Sequence, residues 1–449
     1  MKNKIIILSV LAFTLASCSS YFDDPPTHAI GLGNASSKDY YASYIGIHNA
    51  IQTSWELFWL TEDNSADNLI YRTSFWQHGE IDDNRITLSN TFMNNDWGYI
   101  YRGIFACNTF LSLLNKESDK TQVINGISIN QYIADARAIR AYIYYKGITL
   151  WGDMPYVDEN TTTEQATVIT RTPVATIITN MISDLKFAQE NGRPYSVTGP
   201  KYMSKEAATA LLARLYLYND DLPNARIEAE KIIASTDVEI TNNYIGIWRG
   251  TNNKEMILYM AGTATDSNSH GFYLRAESNN GRFELPVDPK LADDFALEPT
   301  DTRSAVIAAS GVAAYPWQCI KYNNEDNSDI FPIVRVAEMY LISAEAAGYP
   351  AGLVRLNELR AMRGLSALTI PNTPDATKVL ATAILRERRL ELCFEGHRFT
   401  DLRRMCKKYD INITQYLPNI TGINDNNLWY PIPQEQRLLN PNLTQNPGY

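Results

Sequence analysis

A charge-dense segment near the C-terminus, residues 386–404, constrains the fold more than any other part of this chain. Acidic and basic residues stand there beside an apolar stripe, and Gly396 lies where a helix carrying that stripe would end. Charges next to an apolar stripe lie partly out of water and therefore need partners of opposite sign. The segment predicts a helix over about 375–395 whose charges form an ion-pair network between helices. The members of the stripe share one side of that helix: Leu385, Leu390, Leu392 and Phe394.

The first residues are typical of a secretory signal. Two lysines precede an apolar run over residues 5–16, which is shorter than the roughly 20 residues that a membrane-spanning helix needs. The sequence Leu-Ala-Ser-Cys that ends at Cys18 resembles a bacterial lipobox, which implies cleavage before Cys18 and acylation of that cysteine. We therefore expect a protein that is anchored to a membrane rather than spanning it.

Charge and cysteine content argue against several classes of protein. The chain has 40 Lys and Arg against 50 Asp and Glu, and its net charge of −10 argues against a nucleic-acid partner. None of the five cysteines forms a C-x-x-C pair, so the spacing of a metal knuckle is absent, and we expect no metal and no cofactor. Apart from Cys18, we expect free and mostly buried thiols: Cys107, Cys319, Cys393 and Cys406.

Helical periodicity dominates most of the chain. Ser204 is a suitable N-cap for a helix over 204–218, and the short turn that follows leads into a partner helix over 225–234. Such a helix–turn–helix pair resembles a tetratricopeptide unit, and residues 335–363 predict a second pair. The helices predicted from this periodicity cover 38–59, 94–115, 132–151, 204–218, 225–234, 335–347, 353–363 and 375–395.

Two regions lack this periodicity. Residues 61–90 are polar and irregular, whereas 240–330 are rich in Gly, Asn, Asp and Pro and contain short apolar runs such as Met256–Met260. The Pro- and Asn-rich tail from Leu428 predicts irregular chain. We expect a mainly α, single compact body, in which a tetratricopeptide-like helical-repeat scaffold carries irregular, loop-rich regions and a few short strands.

The sequence predicts five segments along the chain. A signal peptide (1–17) is followed by the lipidated Cys18 and a tether (18–36), which would hold the body away from the membrane. The body then has an N-terminal helical part (37–235), a loop-rich insertion (236–330) and a C-terminal part (331–449). Both helical parts are expected to pack in the same body.

Several short stretches resemble those of one protein family, and they occur in that family's order. Together they are similar to the SusD-like (RagB/SusD) family of outer-membrane nutrient-binding lipoproteins, from the lipobox to the C-terminus. Region 240–330 contains no stretch that aligns with the family, which leaves the ligand open. The stretches that carry the resemblance, besides 386–404, are Ala136–Tyr142, Trp151–Pro155, Ala213–Tyr216, Arg335–Tyr340, Asn357–Arg360 and Tyr430–Pro433.

The resemblance implies a binding protein and not an enzyme. A member of this family would be lipid-anchored at the cell surface on the outer membrane. It would bind an oligosaccharide and deliver it to a SusC-like TonB-dependent transporter, sitting over the barrel of that transporter as a lid. Two alternatives stay open: capture of peptides or another nutrient by the same fold, and a tetratricopeptide-type scaffold that binds only proteins.

The sequence offers little support for catalysis. H-E-x-x-H, G-x-S-x-G and P-loop motifs are absent, and the five histidines are scattered. Acidic pairs such as Asp82-Asp83 and Asp293-Asp294 could in principle supply the two carboxylates of a glycosidase. Solvated turns and helix starts explain these pairs more simply, so a glycosidase is the weakest alternative.

Aromatic residues on irregular chain are the candidates for ligand binding. Sugars present flat C–H faces that rings cover, while amide, carboxylate and Arg groups bond the hydroxyls; a helical aromatic is more often core. Trp55, Trp59, Trp97 and Trp151 are accordingly predicted to be structural. The predicted ligand-binding residues are Asn68, Tyr71, Arg72, Trp76 and His78 in the first irregular region, and Trp248, Tyr273, Arg275 and Trp317 in the second.

Overall fold

The computed structural model describes residues 39–250, 254–265 and 267–449, without the side chains of 52–60. The predicted signal peptide, Cys18 and the tether lie outside the described residues, as do the side chains of Trp55 and Trp59. The boundaries of the five predicted segments stay a prediction.

Helices make up most of the first half of the chain. They alternate with short turns and with one two-stranded ribbon of β1 (Val123–Ile124) and β2 (Ile127–Ser128). The helices are α1 (Tyr40–Asn64), α2 (Trp76–Asp82), α3 (Thr91–Asn115), α4 (Ile129–Trp151), α5 (Thr163–Val168), α6 (Val174–Asn191), α7 (Tyr195–Thr198), α8 (Lys205–Tyr218) and α9 (Leu222–Ile233).

The second half mixes short helices and strands before the helical pattern returns. Strand β3 (Met256–Met260) pairs antiparallel with β6 (Phe331–Arg335), and β4 (Ile307–Val312) pairs antiparallel with β5 (Tyr315–Cys319). The helices are α10 (Tyr244–Arg249), α11 (His270–Leu274), α12 (Pro289–Ala296), α13 (Val336–Ala347), α14 (Ala351–Met362), α15 (Ala376–Leu392), α16 (Arg398–Lys408) and α17 (Gln434–Leu439).

The predicted helix–turn–helix pairs are confirmed. The Ser204 hydroxyl accepts a hydrogen bond from the Ala207 amide at 3.0 Å and caps α8, and Asp221 caps α9 in the same way. Ala225 and Ala229 are fully buried where α9 packs on α8, because their small side chains allow a close approach. The second pair, α13 and α14, packs against α8, α9 and α15. The chain is thus mainly α, with a tetratricopeptide-like scaffold.

Helix α4 is the centre of the N-terminal part. It packs against α1, α3, α6 and α8, and its alanine face is buried as the sequence predicts. Trp151, the last residue of α4, is fully buried against the irregular C-terminal tail, and its indole N–H donates to the Pro431 carbonyl at 3.0 Å. The core predictions for Trp97 and Trp151 are confirmed, and Cys107, Cys319, Cys393 and Cys406 are free and buried.

Several helical segments differ from the sequence prediction. The helices that were not predicted outside region 240–330 are α2, α5, α6, α7, α16 and α17, and the charge-dense helix ends at Leu392 rather than at Glu395. The chain leaves the helix early because Phe394 and Gly396 adopt positive φ angles of 64° and 69°. Asp63, at the end of α1, holds this turn: its carboxylate accepts hydrogen bonds from the Phe394 and Gly396 amides, both at 3.0 Å.

The predicted ion-pair network is confirmed, and its centre is the fully buried carboxylate of Glu391 on α15. Arg335 reaches this carboxylate at 2.6 Å, Arg363 at 2.9 Å and Arg303 at 3.3 Å. Three guanidinium groups hold the pKa of Glu391 well below its usual range even though burial acts in the opposite direction. Further carboxylates complete the network around the same arginines: Glu255, Asp301, Glu387 and Glu395.

We predict that Glu391→Gln destabilises the fold by about 3–5 kcal/mol, because it leaves buried arginines without their shared countercharge. Chemical denaturation followed by circular dichroism measures the free energy of unfolding. The matched control is Asp410→Asn, since Asp410 forms an exposed ion pair with Lys378 at 3.2 Å and should contribute about 1 kcal/mol or less. Equal effects of the two substitutions would contradict a central role for the network.

Candidate functional site

The two irregular regions predicted to carry the ligand site lie side by side. Leu69 forms a bridge with Val287, and the Ile70 amide donates to the Pro286 carbonyl at 2.9 Å. Val287 in turn donates its amide to the carbonyl of Trp317 at 3.2 Å. Residues 69–72, 284–287 and the strand β5 therefore run next to each other, which brings side chains from both regions to one surface.

Glu284 fixes the position of Trp76. Its buried carboxylate accepts a hydrogen bond from the Phe75 amide at 2.7 Å, and its carbonyl accepts one from the Arg72 amide at 3.2 Å. Helix α2 begins directly after this contact, at Trp76, whose side chain is left 48% exposed. A half-exposed tryptophan on a firmly held turn is suited to covering a ligand face.

Tyr71 and Arg72 lie beside the β4–β5 hairpin. The Arg72 guanidinium pairs with Glu277 at 3.0 Å and lies 5.2 Å and 6.0 Å from the ring centroids of Phe283 and Tyr315. Burial raises the pKa of Tyr71, and the nearby Glu284 and Tyr315 raise it further. Tyr71 therefore keeps its phenol proton at neutral pH and can donate a hydrogen bond.

A cluster of rings supports this surface from below. Phe75, His78, Phe92 and Tyr273 pack with centroid distances from 4.8 to 6.4 Å, mostly edge to face. Arg282 covers the Phe75 ring at 4.3 Å. Of this cluster, Tyr273 is a predicted site residue that keeps partial exposure.

Asn68 and His78 are buried, which corrects the expectation that they face a ligand. The Asn68 amide donates to Asp63 at 2.7 Å and accepts from Arg389 at 3.1 Å, so it ties α1 to α15. His78 is 1% exposed, and burial lowers its pKa to about 3, so that the ring stays neutral. Both side chains support the loop that carries Tyr71 and Trp76.

Trp248 and Arg275 are buried as well, and the same correction applies to them. Lys321 lies 4.4 Å from the centroid of the Trp248 ring, inside the charged core. The Arg275 guanidinium donates to the Asn324 carbonyl at 2.9 Å and to the Asn327 side chain at 3.0 Å. Arg275 thereby closes the loop that follows β5 and has no exposed surface for a ligand.

The surface also contains residues that the sequence analysis did not select. Tyr315 and Trp317 stand two positions apart on β5 and therefore point to the same side of that strand. Their alternation was the signal that could have found Tyr315. Nothing in the sequence near Arg282 or Phe75 indicates that they lie beside this surface. They meet only because the fold brings two distant segments into contact.

The surface combines aromatic rings with polar side chains. We define the aromatic face as Tyr71, Arg72, Trp76, Tyr273, Tyr315 and Trp317. It offers rings for C–H faces, a guanidinium, and the exposed carboxylate of Glu277 for hydroxyl groups. Within the described parts of the chain, no group of three or more His, Cys, Asp or Glu side chains could hold a metal ion. Two cavities of about 890 and 740 Å³ lie elsewhere on the molecule.

Two family models match the chain. The model described as "SusD family" matches residues 315–449, and the model described as "Starch-binding associating with outer membrane" matches residues 34–217. Together they cover more than half of the chain and both of its helical parts. Among the described residues, we find no helix with the length and apolarity needed to span a bilayer.

Individual relatives agree with these models. A SusD-like protein of Formosa agariphila is 24% identical, and the match covers 100% of both chains. A SusD-like protein of Bacteroides ovatus is 23% identical over 58% of this chain and 50% of its own length. Both relatives are thus distant in sequence.

Solved structures show the same fold. A laminarin-binding SusD-like protein superposes with a TM-score of 0.79 at 22% identity, covering 92% of this chain and 99% of its own. A SusD superfamily protein of Bacteroides thetaiotaomicron gives a TM-score of 0.78 at 19% identity, covering 92% of this chain and 100% of its own.

Replacing Arg275 or Arg72 with methionine should show that the buried arginine stabilises the fold more than the arginine on the aromatic face does. Arg275→Met is expected to cost about 2 kcal/mol or more, since buried acceptors lose their donor. Arg72→Met should cost about 1 kcal/mol or less, because the Arg72–Glu277 pair is exposed to water. Urea denaturation measures both. A larger loss for Arg72 than for Arg275 would contradict this division.

Proposed function

Since the chain belongs to the SusD-like family, we propose that it captures an oligosaccharide at its aromatic face. The observation that carries this proposal is that the two irregular regions pair with each other along residues 69–72 and 284–287, while Val287 bonds Trp317 and Arg72 lies 6.0 Å from the Tyr315 ring centroid. Trp76, which is 48% exposed, follows directly on the paired segment. Tryptophan and tyrosine rings that stay exposed on firmly held backbone bury sugar C–H faces at low entropic cost. The laminarin-binding relative of the same fold supports a glycan as the ligand.

The polar groups beside the rings suit the rest of a sugar. Arg72 and Tyr71 donate hydrogen bonds, and Glu277, whose side chain is 66% exposed, accepts them. Such a mixture of donors and acceptors around flat rings matches a polyhydroxylated ligand. A peptide would instead use main-chain hydrogen bonds along an open strand edge, and its cleft would need fewer rings.

Capture is proposed to serve transport and not catalysis. The protein would be held at the outer-membrane surface by the lipid on Cys18, and it would hand its ligand to a SusC-like TonB-dependent transporter. The helical scaffold would provide the docking face, and hinge opening of the whole body over the transporter would admit the ligand. The description of the model that matches residues 34–217 supports a place at the outer membrane.

Trp76→Ala and Trp317→Ala are expected to weaken binding of the cognate glycan about tenfold or more, which corresponds to about 1.4 kcal/mol for each lost ring contact. Affinity electrophoresis of the full chain against laminarin, starch and a panel of plant, host and microbial glycans finds the ligand, and calorimetry then measures the affinity.

The matched control is Phe105→Ala, since Phe105 is 69% exposed on α3, away from the aromatic face. Its affinity should equal that of the wild type. Binding that survives both tryptophan substitutions would refute the aromatic face as the site. Binding of peptides in place of every glycan would favour the peptide alternative, and release of reducing sugars would favour a glycosidase.

Partnership with a transporter gives a second test. An affinity-tagged full chain, expressed in its native cells and extracted in mild detergent, is expected to co-purify a TonB-dependent transporter in about equal amount. Cys18→Ala should abolish membrane association in the same cells if the lipid anchors the protein. Purification of the tagged chain without any transporter would leave it as a surface binder that acts alone.

A further inference from the structure

A cavity of about 380 Å³ lies between α16, the start of α6 and the turn before Trp429. One wall is apolar and includes Val174, Ile178 and Leu428, together with the Trp429 indole, which is 36% exposed. The adjoining wall is cationic and meets the apolar wall where Arg403 stacks on Trp429. Its charged members, all on α16, are Arg403, Arg404 and Lys407.

Arg403 is the unusual member of this cationic wall. The residue is only 8% exposed, and within the described parts of the chain no carboxylate forms an ion pair with it. Its guanidinium donates to the carbonyls of Leu428, at 2.9 Å, and of Thr149, while its Nε atom has no hydrogen-bond partner there. Buried charges normally have a countercharge, so this arginine lacks a partner that its neighbours possess.

Nearby carboxylates are already in use. Glu62 attracts Arg403 from a distance but accepts hydrogen bonds from Lys146 at 2.9 Å and from Thr400 at 2.9 Å. Asp401 pairs with Arg388 and Arg404, and Glu345 with Arg404. Desolvation lowers the pKa of Arg403, which is the physical sign of an incompletely compensated cation.

Two further features make the cavity electropositive. Lys407 is exposed at its edge and forms no ion pair with a described residue. Val174 and Ala175 open the 18-residue helix α6, which has no acidic residue in its first turn, so the positive end of the helix dipole faces this region. Asp153 accepts one of these amides, and Asp220 at the cavity edge is paired with Lys408.

The Trp429 ring gives the cavity a flat wall. Arg403 stacks on it, with 4.4 Å between the guanidinium carbon and the ring centroid, and also on Phe399 at 4.7 Å. A ligand that carries an anionic group next to a flat C–H face would therefore meet a cation and the exposed part of the Trp429 ring side by side. The volume lies within the range of cavities that bind small molecules, about 300–1,000 Å³.

We propose that this cavity is a second binding site, which takes a small organic carboxylate with a flat C–H face, such as a uronic acid. The carboxylate lies against Lys407 and the edge of Arg403, and the ring lies along Trp429 and Ile178. The site shares no residue with the aromatic face and does not depend on glycan capture there.

The test uses D-glucuronate as the probe and D-glucose as its neutral counterpart, with the full chain in calorimetry or ligand-observed NMR. Glucuronate is expected to bind at least about tenfold more tightly than glucose, because charge-assisted contacts exceed neutral ones. Lys407→Gln should weaken glucuronate about threefold to fivefold, the size typical of an exposed charge contact. The control Lys186→Gln should leave the affinity within twofold of the wild type, because Lys186 is exposed further along α6 and does not line the cavity.

Further variants keep the outcomes distinct. Arg403→Gln should abolish glucuronate binding, and thermal denaturation tells whether that variant is still folded; Lys407→Gln decides the question if it is not. Inorganic phosphate as a competitor separates a general anion site, which it would displace, from a carboxylate–ring site, which it would not. Equal binding of glucose and glucuronate, unchanged binding by Lys407→Gln, displacement by phosphate, or loss of glucuronate in Trp76→Ala would each overturn the proposal.

Discussion

The fold depends on a carboxylate buried among guanidinium groups. Glu391 joins Arg303 from the loop-rich region, Arg335 at the end of β6 and Arg363 after α14, so one side chain of α15 connects three separate parts of the chain. Each arginine is fully desolvated and would be costly alone, but they share carboxylates with good geometry. Hydrophobic burial supplies the cohesion of the body, whereas these directional contacts determine which segments become neighbours.

The aromatic face follows from this arrangement in two steps. The network fixes the charge-dense helix and its turn, and Arg389 and Asp63 then hold the start of the loop that follows α1. That loop carries Tyr71 and Trp76 to the segment 284–287, where Glu284 receives it. Backbone contacts of this loop therefore hold Trp76, whose side chain stays 48% exposed, whereas Tyr273 and Trp317 also pack against the core.

Local patterns predicted much of this molecule from sequence. Ser204 and the alanine faces predicted the repeat helices, and the apolar run Met256–Met260 indicated one of the short strands. The charges of 386–404 predicted the ion-pair network. Burial of loop residues was beyond such reasoning. Arg275 and Trp248 look exposed in a polar, glycine-containing stretch. In the structure, Arg275 donates to Asn324, 49 residues further along the chain, and Trp248 packs under Lys321 from another segment. Tyr71 and Trp317 could be selected by type, but only the pairing of 69–72 with 284–287 places them together.

The contact between Asp63 and the turn at Gly396 spans 333 residues of sequence. If the chain is exported from its N-terminus, as the proposed signal peptide implies, α1 and the loop with Tyr71 and Trp76 emerge first, and the turn at Gly396 emerges last. Closing so long a loop is slow, and the contact stabilises the fold only when both ends of the loop are present. Export of such a chain therefore favours a carrier that keeps the early segments unfolded until the C-terminus has passed. A chain that ends after α14 would lack the turn at Phe394–Gly396 that bonds Asp63, so the loop with Tyr71 and Trp76 would lose that contact.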